Sequence, residues 1–225
     1  MHRALIALLA VSTFACATVP RKQIAVATAA TGAALLLDDE IARFATRHDS
    51  PILDRVETFG GGGSDKVIAG FLLYGLAAKD KNARRTAIDA FASQLIAAKG
   101  ITPLVKQLTN RTRPNGDGDS FPSNHATTAF ALASTISVHY PRARWWAYGL
   151  AAGVAAARVQ NNAHWTSDVI AGAAIGTFVG HTVATFGRKR WKWNVSITAA
   201  AGGVSAPSPA PFAEWRPLSQ IAAAP

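Results

Sequence analysis

Residues 149–180 read GLAAGVAAARVQNNAHWTSDVIAGAAIGTFVG. Small residues recur four apart on both sides of a polar interruption: Gly149, Gly153 and Ala157 before it, and Gly172, Gly176 and Gly180 after it. Positions four apart share one face of a helix, and a ridge of small side chains lets two helix backbones approach closely. The stretch therefore predicts two tightly packed helices within 143–186, broken near 161–165, with the residues of the break held in place by the packing on either side.

Working outward, the rest of the chain divides into helical stretches at about 23–37, 40–59, 65–79, 83–109 and 125–139, with no strand ladder. The expected fold class is all-α, a single bundle of about six helices with a site at one end. Between 40 and 59, Ile41, Phe44, Ala45, Ile52, Val56 and Phe59 fall at helical intervals with Arg43, Arg47 and Arg55 outside them, which reads as an amphipathic helix. Asp38-Asp39-Glu40 reads as a solvated helix boundary. Gly60 to Gly63 reads as a flexible joint before an N-cap at Ser64-Asp65. Gly100 interrupts the fourth stretch, and Thr102-Pro103 restarts it as a cap followed by proline, which places Lys106 on a helix.

Composition narrows the class. Hydrophobic residues make up 49% of the 225 and charged residues 16%, too apolar for disorder. Lysine and arginine exceed the acids by 23 to 13, a net charge of +10 that suits an anionic partner. Cys16 is the single cysteine, so neither an intramolecular disulfide nor a thiolate metal cluster is available. His2 and Arg3 precede an apolar run ending in Ala15-Cys16-Ala17, the small-x-small pattern of an export signal; residues 1–17 are expected to be removed. The domain then covers 23–190, and 191–225 forms an Ala/Pro/Ser-rich tail.

Three short patterns carry the chemistry. Lys106, six residues, then Arg113-Pro114 would set two cations about two turns apart if one helix ran through both. Phe121-Pro122-Ser123-Asn124-His125 opens directly into an apolar helix, where Ser123 can cap and the free N–H groups attract an anion beside an imidazole. Arg158, five residues, His164, three residues, Asp168 puts a carboxylate one helical turn from a histidine, where it can fix the tautomer and leave the other ring nitrogen free to attack. Each pattern alone is an ordinary helix surface or cap; together they carry information.

In this order and spacing the three patterns resemble the signature of the type 2 phosphatidic acid phosphatase and vanadium haloperoxidase superfamily: Lys-x6-Arg-Pro, Pro-Ser-Gly-His and Ser-Arg-x5-His-x3-Asp. The resemblance implies that Lys106, Arg113 and Arg158 hold phosphoryl oxygens with help from Ser123 and the backbone at Asn124, that His164 is the nucleophile, that Asp168 orients it, and that His125 is the general acid. Asn124 stands where the family has glycine, and Ala157 where it has serine. Fixed guanidinium groups match the charge spread over a transferring phosphoryl group, so no metal is required. Asn115-Gly116-Asp117-Gly118-Asp119 is a poor calcium loop, since Ser120 stands where glycine is needed; it reads as a mobile rim loop.

The expected activity is metal-independent hydrolysis of a phosphomonoester or diphosphate, lipid-borne or soluble, through a phosphohistidine. No cofactor is expected, although vanadate would fit the same anion site. The alternatives are a vanadium haloperoxidase on the same scaffold, or a catalytically silent phospholipid-binding protein of the envelope. A membrane surface suits the charge as a partner; nucleic acid is not expected. The uncharged runs of about 12–15 residues fall short of the roughly 20 that a bilayer needs, which favours a periplasmic, membrane-associated domain over an integral membrane protein with its site facing the periplasm.

Overall fold

The computed structural model describes residues 20–48, 50–60 and 62–191. Among these the chain is helical with no strand: α1 Arg21–Arg47, α2 Pro51–Gly60, α3 Gly63–Ala77, α4 Lys81–Gln94, a π-helical segment Leu95–Ile101, α5 Thr102–Thr109, α6 Asn124–His139, a single 3₁₀ turn Pro141–Ala143, α7 Arg144–Gln160 and α8 Thr166–Trp191. The all-α expectation holds. The helix count is higher than about six, because two of the expected stretches are divided. The expected signal at 1–17 and almost all of the 191–225 tail lie outside the described residues.

α6 is the central helix. It packs along α8 on one side and α7 on the other, with α4 against both α6 and α8, α1 against α8 and α2 against α7. Small side chains make this possible: Ala83, Ala90, Ala97, Ala126, Ala131, Ala157 and Ala184 are all fully buried. The Gly172/Gly176/Gly180 ridge does what its spacing predicts. A Cβ at Gly172 would lie 2.5 Å from the Ser123 carbonyl oxygen and one at Gly180 2.5 Å from that of Ala131, while one at Gly176 would fall on Thr127 O. The α6 and α8 backbones are therefore in direct contact, which brings the start of α6 against the start of α8. Gly149 is different, since a Cβ there meets nothing within 4 Å.

Several expected boundaries are corrected. α1 runs without interruption through Asp38-Asp39-Glu40, and Asp38 is buried rather than solvated. The stretch 40–59 is broken at 48–50, where Pro51 starts a new helix at a position that needs no N–H donor; Phe44 and Ile52 stand exposed, so the apolar spacing does not mark one buried face. α3 begins at Gly63 with Gly62 as its cap residue, so Ser64-Asp65 is not the N-cap. Thr102 does not cap α5 with its side chain either, since its hydroxyl donates to Ala97 O at 2.9 Å and the chain passes Gly100 as a π-helix.

α6 is about 24 Å long at 1.5 Å per residue, and its far end holds a second buried polar contact: His139 Nε2 lies 2.7 Å from Asp89 Oδ2 on α4. Elsewhere the exterior is unusually apolar. Leu36 on α1, Leu73 on α3, Phe91 on α4, Trp145 and Trp146 on α7 and Phe186 on α8 are all exposed. Among the described residues, Thr166–Gly187 is the one helical stretch long and apolar enough to cross a bilayer, by length and composition alone.

Candidate active site

α5 stops at Asn110, whose left-handed conformation (φ 43°) is one that asparagine tolerates and whose N–H closes the helix on Lys106 O at 2.9 Å. Arg113 is consequently on the following loop, and the two cations do not share a helix as the sequence suggested. The loop brings them together by other means. It closes on itself through Arg113 N to Asp117 O (2.7 Å) and Ser120 N to Arg111 O (2.8 Å), with Asp117 N donating to Asn115 Oδ1 at 3.1 Å. Lys106 Nζ donates to the carbonyl oxygens of Asp119 and Ser120, and Arg113 Nε to that of Gly118 at 3.0 Å. The expected rim loop is thus tied down by Lys106 of α5 and by its own Arg113.

Ser123 caps α6 as expected, accepting from Ala126 N at 3.5 Å. Asn124 and His125 follow in the first turn, and both line a cavity of about 340 Å³. Arg158 lies in the last turn of α7, and its carbonyl oxygen accepts from His164 N at 3.2 Å and Ala163 N at 3.1 Å, folding the 161–165 break beneath the helix end.

His164 precedes α8, and Asp168 is in its first turn. Nδ1 of the buried imidazole lies 3.6 Å from Asp168 Oδ2, close enough to feel the carboxylate but longer than a hydrogen bond. Burial pushes the His164 pKa below its ordinary 6.5, as do the charges of Lys106 and Arg113, while Asp168 opposes the shift. Lys106 is lowered to about 8, first by burial and then by Arg113, with Asp168 and Asp119 opposing. These mutual effects place the first and third patterns within one electrostatic site.

Asp168 is the point where all three patterns meet. Its main-chain oxygen accepts from Ser123 N at 3.0 Å, joining it to the second pattern. Its carboxylate accepts from Trp165 N at 2.9 Å and from Ser120 Oγ, and Oδ1 takes a 2.7 Å bond from Arg111, inside the first pattern. Arg111 continues the network: Nη1 also donates to Ser167 Oγ at 2.6 Å, and Nη2 pairs with Asp38 Oδ2 at 2.7 Å. Asp38 in turn accepts from Ser167 N at 2.9 Å and Ser167 Oγ at 2.6 Å, an acid at the positive end of α8. The Trp165 ring lies under the Arg111 guanidinium, 5.4 Å away, and its Nε1 donates to Thr112 O at 2.8 Å.

Arg111, Ser120, Ser167 and Asp38 were missed from the sequence. Arg111 occupies one of the six open positions of the first pattern, and Ser120 reads in the sequence only as a misplaced calcium-loop residue. Among the described residues, no three His, Cys, Asp or Glu side chains gather as metal ligands.

Residues 89–192 match the model of the PAP2 superfamily. A lipid A 1-phosphatase of Porphyromonas gingivalis is 40% identical over 86 residues, 36% of this chain and 19% of that protein. One of Rhizobium johnstonii is 40% identical over 60 residues, 27% of this chain and 25% of that protein. The chain thus spans a quarter or less of the length of these curated relatives. Among solved structures, Aquifex aeolicus LpxE superposes with a TM-score of 0.54 at 21% identity, covering 66% of this chain and 95% of that one. The first transmembrane PAP2 type phosphatidylglycerolphosphate phosphatase of Bacillus subtilis gives a TM-score of 0.54 at 19% identity, covering 86% and 100%. At these identities the two structures share the fold.

Proposed function

We propose that the chain, whose residues 89–192 match the PAP2 superfamily model, is a phosphatase of that superfamily that hydrolyses a lipid-borne phosphomonoester or diphosphate, without a metal, through a phosphohistidine on His164. The observation that carries this is the convergence on Asp168: one residue bonds Arg111 and Ser120 with its carboxylate and Ser123 with its main chain, so the cations, the capped helix start and the histidine form one rigid unit. Rigid donors aimed at a reacting group stabilise developing charge without reorganising.

The chemistry divides among these residues as follows. The Asp168 carboxylate, 3.6 Å from Nδ1, favours the tautomer with its proton there, so Nε2 carries the lone pair. Nε2 attacks phosphorus, the bond to the leaving oxygen breaks, and His125 gives that oxygen a proton. Charge on the three equatorial oxygens is met by Lys106, Arg113 and Arg158, with Ser123 and the backbone at Asn124 completing the cradle. Water deprotonated by His125 then cleaves the N–P bond and returns the enzyme. The carbonyls that hold Lys106 and Arg113 in the free enzyme are weaker partners than a phosphate dianion, so both cations turn to substrate on binding.

The exposed apolar exterior supports a membrane-bound substrate, since patches of this extent mark lipid or protein contact. Trp145 and Trp146, beside Arg142 and Arg144, suit the interface between lipid and water. The likeness to two lipid A 1-phosphatases also favours a lipid phosphate. We place the site on the periplasmic side of the envelope. The test is phosphate release by the full chain from lipid and soluble phosphoesters in the presence of EDTA. Release from lipid substrates that persists in EDTA supports this function; a strict dependence on added magnesium contradicts it.

A further inference from the structure

The Asp168 carboxylate is engaged on both oxygens before His164 is counted. Oδ1 takes the Arg111 guanidinium, and Oδ2 takes both Ser120 Oγ and Trp165 N. A carboxylate oxygen offers two lone pairs, so Oδ2 has none left for the imidazole. Nδ1 of His164 accordingly stands 3.6 Å off, buried and with no hydrogen-bond partner among the described residues. Buried polar atoms are rarely left unpaired, and here the Ser120 hydroxyl occupies the place that Nδ1 would take.

Of the donors on this carboxylate, Ser120 is the one that can let go. Arg111 is fixed from its other side by Asp38, and Trp165 N belongs to the main chain beside His164. Ser120 instead belongs to the loop held by Lys106, whose Nζ donates to the carbonyl oxygens of Asp119 and Ser120. Asp119 has a φ of 56°, in the left-handed region that a residue with a Cβ enters only at a cost. Such a conformation persists while its surroundings hold it. The ammonium that holds it is the same one that turns to phosphate.

We propose that Ser120 is a positioning residue that links phosphate binding to His164. While Lys106 holds the Asp119 and Ser120 carbonyls, the Ser120 hydroxyl occupies Asp168 Oδ2; when Lys106 turns to phosphate, the hydroxyl leaves and Nδ1–H donates to that oxygen. The proposal rests on the phosphatase reading, which makes Lys106 a phosphate ligand. No proton changes hands in this step. The carboxylate pivots on its Arg111 bond, and closing from 3.6 Å to a hydrogen bond of roughly 3.2 Å or less leaves the surrounding frame in place. A carboxylate bonded to Nδ1 makes Nε2 a stronger base, which in an empty site would only collect a proton from water. Linking that bond to phosphate strengthens the nucleophile when its target is present.

The experiment follows ring-¹⁵N-labelled histidines by NMR in the full chain, wild type and Ser120→Ala, with and without inorganic phosphate. His164→Gln identifies the His164 signals by their loss, and His139, paired with Asp89 at the far end of α6, reports that each variant is folded. In wild type, phosphate should move the His164 Nδ1–H resonance downfield, as a new hydrogen bond to a carboxylate does. In Ser120→Ala that resonance should already stand downfield without phosphate, and most of the phosphate-induced shift should be lost. A shift of equal size in both proteins is the direct effect of the anion's charge and overturns the link, as does a wild-type resonance that phosphate does not move. Phosphate release by the same preparations separates the two readings. Release by wild type with an unlinked Ser120 overturns this proposal alone, and no release from any phosphoester overturns the phosphatase.

Discussion

Asp38 and Arg111 are joined by a 2.7 Å ion pair across 73 positions of sequence, and through it α1 is fastened to the loop that carries Arg113. The guanidinium then bonds Asp168, so Arg111 lies between two carboxylates, with Asp38 at one end of the bridge and Asp168, 3.6 Å from His164 Nδ1, at the other.

Asp38→Asn keeps the shape of this contact but removes a buried charge whose partner remains. Breaking a buried pair in this way costs about 3–5 kcal/mol, and because Arg111 retains some exposure the loss should fall near 3. Urea denaturation at unchanged m-value measures it. A change under about 0.5 kcal/mol, the size of an ordinary surface substitution, would show that the bridge does not hold α1 to the site.

How far the sequence exposes this arrangement depends on distance along the chain. His164 and Asp168 are four apart, and Ser123 precedes its helix by one residue, so local geometry alone reveals both. The small-residue ridge is legible for the same reason, because a period of four has one structural meaning. Asp38 is not: its partner Ser167 is 129 positions away, and an acid in the run Asp-Asp-Glu carries no local mark of burial. The break at 48–50 did leave a signal in Pro51, but the apolar spacing on both sides of it continued the helical pattern and masked it. Lys106 and Arg113 converge as expected, although a loop brings them together where one helix was expected.

The pH profile follows from the directions of two shifts. His164 attacks only when neutral, and burial lowers its pKa, so the acidic limb of kcat/KM should lie below pH 6.5. Lys106 holds phosphate only when charged, and its pKa of about 8 places the alkaline limb near that value. The measurement is kcat/KM against pH for p-nitrophenyl phosphate, corrected for the ionisation of the substrate. Lys106→Arg should remove the alkaline limb, since arginine stays charged throughout. An alkaline limb unmoved in that variant would assign it to another group.

Gly176→Ala and Gly149→Ala should differ in sign. At Gly176 the added methyl meets Thr127 O and lies 2.8 Å from Ala131 N, so α6 and α8 must separate, and overpacking of this kind costs about 1–3 kcal/mol. At Gly149 the methyl meets open space, and alanine should stabilise the helix by roughly 0.5–1 kcal/mol. Thermal denaturation of the two variants checks this. Equal effects would mean that the α6/α8 contact is not as close as described.

His125→Ala tests the general acid. An alkoxide needs a proton to leave and a nitrophenolate does not, while general acid catalysis contributes about 10²–10⁴-fold. Single-turnover phosphorylation should therefore fall by that factor for an alkyl phosphate and far less for p-nitrophenyl phosphate. Equal slowing of both would give His125 a phosphate-binding role instead.

The central claim is the covalent intermediate on His164, and it is tested by quenching the enzyme during turnover of ³²P-labelled substrate. Wild type should carry phosphate that is labile in acid and stable in base, located to the peptide containing His164, and His164→Ala should carry none and release none. Full phosphate release by His164→Ala, or label that survives acid, would contradict it.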